Sequence, residues 1–346
     1  MLILAVMACM EPRSVGALAE DCASCHVDHG AAFNASAHGD AAGSALFGAL
    51  RAEALEAGGE PLAGQCDACH SPGPSGDGIG CVTCHAAAGN QGTHDGRLVL
   101  DLRGPVRGPT GRADGAPHDT LQGSFLGAAE LCGTCHDSTG PPGFVESPFE
   151  HWSRSPAAAA GIGCQDCHMS PIPGEAAPAD RAPIVPTGAA RPVHDHRVVG
   201  LSRDPRDAAA LLAGVLDLDL RGAEATLTSR ALGHSVPDGA SFLREVVLDL
   251  EALDDHGVVL DRTRGWLSAA MSRKGRPTPS PVRADALEQR SLAPGESRRW
   301  TVPTAGASRV RACVRFRAIR EDLAAHLSLP VPDVVDVLCA EGPAPG

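Results

Sequence analysis

The sequence predicts two domains built on different principles. A loop-rich, partly α-helical N-terminal domain is followed by an antiparallel β-sandwich-like domain. Three observations carry this reading. A Cys-x-x-Cys-His motif occurs five times, and all five copies end by residue 168. The chain holds 40 Gly and 28 Pro against 7 Phe, 3 Trp and no Tyr, so loops abound and core-filling rings are scarce. Beyond about Arg206, apolar and polar residues alternate with period two in runs separated by turns. Residues 1–20 read as a leader and tether, 21–200 as the motif domain with 171–192 as a Pro-rich linker or strap, and 206–340 as the β-domain.

The chain opens on "MLILAVMAC", an apolar run far too short to span a bilayer, which takes roughly 20 residues. Val6-Met7-Ala8-Cys9 resembles a lipobox, which makes Cys9 a lipidation candidate; the alternative is an ordinary cleaved signal. Either way the expectation is export, to the periplasm or to the outer membrane or cell surface as a lipoprotein.

The motifs are Cys22-Ala-Ser-Cys25-His26, Cys66-Asp-Ala-Cys69-His70, Cys81-Val-Thr-Cys84-His85, Cys132-Gly-Thr-Cys135-His136 and Cys164-Gln-Asp-Cys167-His168. Chance gives on the order of 0.02 such matches in a chain of this composition, and the pattern is the attachment signature of c-type haem. Two cysteines at that spacing add to the two vinyl groups of one porphyrin, and the next residue, His, ligates the iron. Five covalently bound haem c groups are therefore expected, with His26, His70, His85, His136 and His168 as proximal ligands. Such groups supply the interior that the side chains do not. Structural zinc fits poorly, because it needs Cys pairs in even sets and no His after each. A disulfide scaffold explains no histidine. Three cysteines remain: Cys9, and Cys313 with Cys339, which are either a disulfide or buried thiols.

Beyond the leader only Met169 and Met271 remain, so His is the expected sixth ligand and the haems should be of mostly low potential. Ten histidines lie outside the motifs. The distal candidates are His38 in "NASAHGD", His94 in the loop after the third motif, His118 in "GAPHDT", His196 in "HDHR" and His234 in "LGHSVPDG". His29, His151 and His194 are reserves, and His256 and His326 read as surface residues. One helix is expected from about Ala41 to Ala57, ended by Gly58-Gly59. Only 15 residues separate the starts of the second and third motifs, which forces those two sites close together. In the C-terminal part, Leu216/Leu218/Leu220, Val246/Leu248/Leu250 and Val310/Ala312/Val314/Phe316 mark the inward faces of strands. His234 lies between two such runs, as a candidate interdomain ligand.

These segments resemble the multihaem cytochrome c superfamily that includes the tetrahaem carrier of ammonia oxidisers, hydroxylamine oxidoreductase and pentahaem nitrite reductase. "NASAH" is similar to its Ser-x-His segment, "GIGCVTCHAAAG…H" to a haem run with a later His, and "HDHRVVG" to a His-Arg-Phe-x-Gly element. The "GHSVPDG" region is similar to a β-domain that follows such haem domains. The resemblance implies a multihaem cytochrome c fold over roughly Asp21 to Pro330. All five motifs end in His where the nitrite reductases carry one C-x-x-C-K, and the chain lacks the Tyr on which hydroxylamine oxidoreductase depends. An electron carrier is therefore expected ahead of a catalytic oxidoreductase. The alternatives are a reductase of a small nitrogen or sulfur oxyanion at one five-coordinate haem, and a subunit of a membrane or cell-surface electron-transfer complex. A formal charge of −13 argues against nucleic acid and for redox partner proteins with basic docking surfaces, such as other cytochromes or a quinol-oxidising membrane complex.

Overall fold

The computed structural model describes residues 14, 16, 22–73, 78–109, 118–138, 140, 145–176, 192–200 and 204–345. Cys9, the rest of the expected leader apart from residues 14 and 16, and residues 177–191 of the Pro-rich strap lie outside them. The chain forms two compact units. The first takes in the described residues up to His136 and those of Ile162–Arg203; the second takes Asp137–Gly161 and Asp204–Gly346.

In the first unit four motifs sit on or beside short helices, and the second forms the end of a long one. α1 (Cys22–Cys25) runs into α2 (Val27–Asn34), followed by the long α3 (Ala45–His70) and α4 (Cys81–His85). The hairpin β1 (Ala87–Asn90) and β2 (Leu98–Leu100) and the parallel pair β3 (Val106–Gly108) and β4 (Thr120–Gln122) follow, and α5 (Ala129–Gly133) carries the first cysteine of the fourth motif. Ser44 caps α3 by accepting the Phe47 N–H at 3.1 Å. The sequence places the end of this helix at Gly58-Gly59, yet it runs on to His70. Gly59 is non-helical at φ +67° and Pro61 opens a second segment, so the two glycines make a kink rather than a terminus. Arg51 forks onto both oxygens of Asp67 at 2.7 Å, tying the halves together across that kink.

Residues 137–161 pack with the second unit, although motifs flank them in sequence. They carry α6 (Pro148–Ser153) and α7 (Pro156–Ala159), held by the Ala157 N–H donating to the Leu232 carbonyl at 3.2 Å. The first unit resumes with α8 (Cys164–His168) and the pair β5 (Pro171–Ala176) and β6 (Pro192–His194). The second continues with α9 (Pro205–Val215), β7 (Leu216–Arg221), β8 (Glu224–Ser229), β9 (Glu245–Leu253), β10 (Val259–Trp266), β11 (Ala270–Arg273), β12 (Arg276–Pro277), β13 (Ala286–Glu288), β14 (Ser297–Thr301), β15 (Arg309–Arg317), α10 (Glu321–His326) and β16 (Val335–Pro343).

The sheet orders are β10-β9-β15-β16, β14-β8-β7 and β12-β11-β13, all antiparallel. Leu227 of one sheet and Leu248, Leu250, Val310 and Val314 of another share one core, the sandwich-like packing that period-two alternation predicts. Alternation alone gives β9 a polar outer face, yet every residue of β9 is buried. Arginines cover that face: Asp249 accepts from Arg264 and Arg315, and Glu251 from Arg262 and Arg311. Cys313 and Cys339 stand directly opposite each other on β15 and β16 and form a disulfide, which resolves the choice the sequence leaves open. Among the described residues no helix is long and apolar enough to cross a membrane.

Candidate cofactor-binding site

Each motif places its two thiols one helical turn apart, on one face, with the His immediately after. The residue before the second cysteine helps build that turn. Thr83 Oγ1 accepts the Gly80 N–H at 3.0 Å and Asp166 Oδ2 accepts the Gly163 N–H at 2.7 Å, closing α4 and α8 at their N-termini. Thr134 in the fourth motif instead donates to the Glu130 carbonyl at 2.8 Å.

The thiols of different motifs meet. The Cys22 thiol hydrogen-bonds to Cys81 and draws it down to about 6, whereas burial beside Cys135 and Cys81 pushes Cys84 up to about 11. Cys69 lowers Cys135 through a side-chain hydrogen bond, and the same kind of contact with Cys164 raises Cys132. The first motif thus hydrogen-bonds to the third, and the fourth to the second and the fifth, while Cys84 of the third motif lies within electrostatic reach of Cys132 and Cys135 of the fourth. No three ligand atoms of His, Cys, Asp or Glu converge at metal-binding distance among the described residues except at Cys313, Asp336 and Cys339, where the two sulfurs are bridged. The motif thiols therefore do not assemble the four-ligand sets that zinc takes.

The histidines carry the more informative geometry. Nδ1 of His70 donates to the Ala41 carbonyl at 2.8 Å, that of His85 to Arg107 at 2.7 Å, and that of His168 to Val199 at 2.6 Å. A ligating imidazole is oriented by such a bond on its other nitrogen, which makes Nε2 the ligand atom. Burial lowers the pKa of His70 and His85 despite these bonds, favouring the neutral ring a metal requires.

Ring spacing separates the distal candidates. An imidazole nitrogen stands about 2.0 Å from a first-row metal, so two rings facing across one ion hold centroids about 6 Å apart. His38 lies 5.9 Å from His136 with the planes perpendicular, while His26 has two rings at this spacing, the reserve His29 at 6.1 Å and the candidate His118 at 6.5 Å. Burial holds the His38 pKa below its ordinary value. His196 packs on His29 at 4.5 Å, too close to share a metal with it, and burial drives its pKa to about 4. Its Nδ1 donates to the His194 carbonyl at 2.8 Å, and that of His194 to Met169 at 2.6 Å. His94 is bonded to the Asp95 carboxylate at 2.8 Å. His234 belongs to the second unit, its Nδ1 2.8 Å from the Ser235 carbonyl and 3.7 Å from Asp238, which His151 meets at 2.6 Å. His256 and His326 are exposed.

Sequence reasoning missed the acceptors: Ala41, Arg107 and Val199 act through backbone carbonyls, which leave no trace in residue type. Only Asp95, next to His94, was legible. The residues present fit covalent haem. Ten thiols in CxxC pairs, with three of the five proximal rings tied down on Nδ1, lie in a unit with almost no large buried side chains; Leu50 is the one large apolar residue that the described first unit buries.

A structure from Thermochromatium tepidum, described as a penta-heme cytochrome c552, superposes with a TM-score of 0.70 over 96% of this chain and 100% of that one, at 20% identity. At that identity the likeness establishes the fold, which is that of a multihaem cytochrome c. No family model matches the sequence. No curated protein matches it either.

Proposed function

We propose that the chain is an exported pentahaem c-type cytochrome that relays electrons, allied to the superfamily of the tetrahaem carriers and pentahaem nitrite reductases. The observation that carries this is the combination of five CxxCH turns, three of whose proximal rings are held on Nδ1 by backbone carbonyls, in a unit that lacks a side-chain core. When bound, the haems supply reversible one-electron chemistry. The polypeptide fixes spacing and ligation. Cys22/25, Cys66/69, Cys81/84, Cys132/135 and Cys164/167 would hold the five groups, His38 would ligate opposite His136 and His118 opposite His26, with His94, His196 and His234 the remaining distal candidates. Thiol hydrogen bonds join the first site to the third, and the fourth to the second and the fifth; Cys84 links the two groups electrostatically through Cys132 and Cys135.

The disulfide of the second unit suits an oxidising compartment, the periplasm or the cell surface, with Cys9 as the proposed lipid tether. Redox proteins with basic docking surfaces are the proposed partners, in solution or within a membrane complex.

One observation favours a second reading, a reductase of a small nitrogen or sulfur oxyanion at a five-coordinate haem. The turn that presents His38 recurs. Ser36 N–H donates to Phe33 O at 2.9 Å and Gly39 N–H to Ser36 Oγ at 3.1 Å; Ser155 N–H donates to Trp152 O at 2.8 Å and Ala158 N–H to Ser155 Oγ at 3.3 Å. The first turn delivers His38, the second Ala157, which offers no ligand.

Pyridine haemochrome assay with EPR tests both readings. Five haems per chain, and conversion of one low-spin centre to high-spin in His38→Ala, are expected for the relay. A native high-spin signal that responds to nitrite or sulfite favours the reductase. A colourless mature protein overturns both.

A further inference from the structure

Residues 262–320 carry 13 Arg and one Lys against three acidic residues. Most of this charge is spent inside the second unit, where Glu245, Asp249 and Glu251 take up the arginines of the four-stranded sheet. The β11–β12 hairpin is the exception. Arg273, Lys274 and Arg276 are exposed and form no ion pair among the described residues. Lys274 (φ +50°) and Gly275 (φ +73°) make the two-residue turn, with the double positive φ of a type I′ hairpin. Lysine is a poor choice there; Asn and Asp adopt the left-handed region far more readily. Asp285 fixes the tip by accepting the Lys274 N–H at 2.9 and 3.1 Å, so one carboxylate stands against three cations on a rigid turn. Lys274 is also the only lysine in the 346 residues.

The complementary surface is in the same chain. The sequence of the first unit holds 19 acidic residues against 10 basic ones, before any haem propionate is counted. We propose that the Arg273–Arg276 tip is a docking prong for the acidic first unit of a second copy of this protein, making a weak head-to-tail contact. The patch is small, which places the contact among transient, electron-transfer-sized encounters rather than obligate dimers. The interface is heterologous, so each copy keeps one prong and one acidic face available for a further neighbour. The net charges of two copies repel, but that repulsion is screened beyond about 8 Å at 0.15 M ionic strength, leaving the short-range contact to decide.

The lone lysine makes the test specific. A carbodiimide joins an ammonium to a carboxylate it touches, and arginine does not react. Holoprotein at 0.15 M salt should sediment with concentration-dependent self-association and yield a cross-linked dimer whose Lys274 is joined to an Asp or Glu of the first unit. Lys274→Arg should associate as before but no longer cross-link there, which separates charge from reactivity. Arg273→Glu/Arg276→Glu should lose both association and cross-link, as should the wild type at 0.5 M salt; unchanged visible absorbance and far-UV dichroism show that the variant is folded. A monomer at every concentration overturns the proposal. So does a Lys274 cross-link confined to one chain or to the partner's second unit, and so does binding of the prong to phosphatidylglycerol vesicles without self-association. Sedimentation and the cross-link site do not count haems, so the proposal and the cofactor reading fail separately.

Discussion

The two units are both compact, yet they are filled by different material. Among the described residues the first buries one large apolar side chain, Leu50, together with Ala54, Ala63, Ala86, Ala87 and Ala129. The second buries Phe242, Leu227, Leu248, Leu250, Leu267, Leu292 and Leu323 with several valines. Fully burying a Leu contributes about 1.5–3 kcal/mol, while ordering each residue costs about 1–2 kcal/mol in backbone entropy. The second unit meets that cost in the ordinary way. The first, on its own side chains, does not. Its order has to come from what the ten thiols and the oriented imidazoles bind, as in small metal domains where binding energy is folding energy.

The largest expected effect follows from that contrast. Replacing the ten motif cysteines by serine should leave the first unit unfolded and the second intact. Limited proteolysis read by mass spectrometry should cut throughout 22–136 and 162–200 while the 204–345 region survives. Equal protection of both units in the colourless variant would break the comparison at its root.

How much of this was legible in the sequence follows the same division. In the second unit, alternation at Leu216–Leu220, Val246–Leu250 and Val310–Phe316 marked strands that form where expected, because a side chain's face in a strand depends on its parity alone. What alternation concealed was the outer face of β9, buried by arginines that arrive from β10 and β15, far away in sequence. In the first unit the CxxCH turns were legible because their chemistry is local. The kink at Gly59 was misread as an end, since the tie that carries α3 through it, Arg51 to Asp67, spans 16 residues. Pairing His38 with His136 needs a contact across 98 positions, which no local pattern encodes. Residues 137–161 have the same cause: their attachment to Leu232 and Asp238 is tertiary.

A smaller effect sharpens the comparison from the side of the second unit. Leu248→Ala removes a fully buried side chain from the shared core and should destabilise that unit by about 2–5 kcal/mol. Asp249→Ala leaves Arg264 and Arg315 facing each other without their common acid; both arginines reach solvent and Arg315 keeps Asp336, so the cost is smaller, about 1–3 kcal/mol. Both should lower a thermal transition followed by far-UV dichroism and leave the visible absorbance at 25 °C unchanged. A shift in the haem spectrum on either substitution would show that the two interiors are not independent.

The smallest effect is one of pH, and its sign distinguishes two carboxylates of the same unit. The pKa of Asp249 is held below its ordinary range: burial works against this, but hydrogen bonds and charge from Arg264 and Arg315 outweigh it. Unfolding lets it take up a proton, so its contribution is full above the ordinary carboxylate pKa of about 4 and is lost as pH falls further. Glu146 behaves oppositely. Burial raises it to about 7, reinforced by Asp238 and Asp137 and opposed by Arg244. Here the folded protein keeps a proton that the unfolded chain gives up, so its contribution is full below about 4.5 and declines as pH rises to about 7. At about 1.4 kcal/mol per pKa unit the decline is at most about 3 kcal/mol. Thermal melts of wild type between pH 4.5 and 7.5 should therefore show the second unit weakening toward neutrality. Glu146→Gln, which has no proton to lose, should flatten that slope while leaving the acid-side loss through Asp249 in place. An unchanged slope in the glutamine variant would mean that Glu146 is ionised when folded, with Arg244 as its stabilising partner.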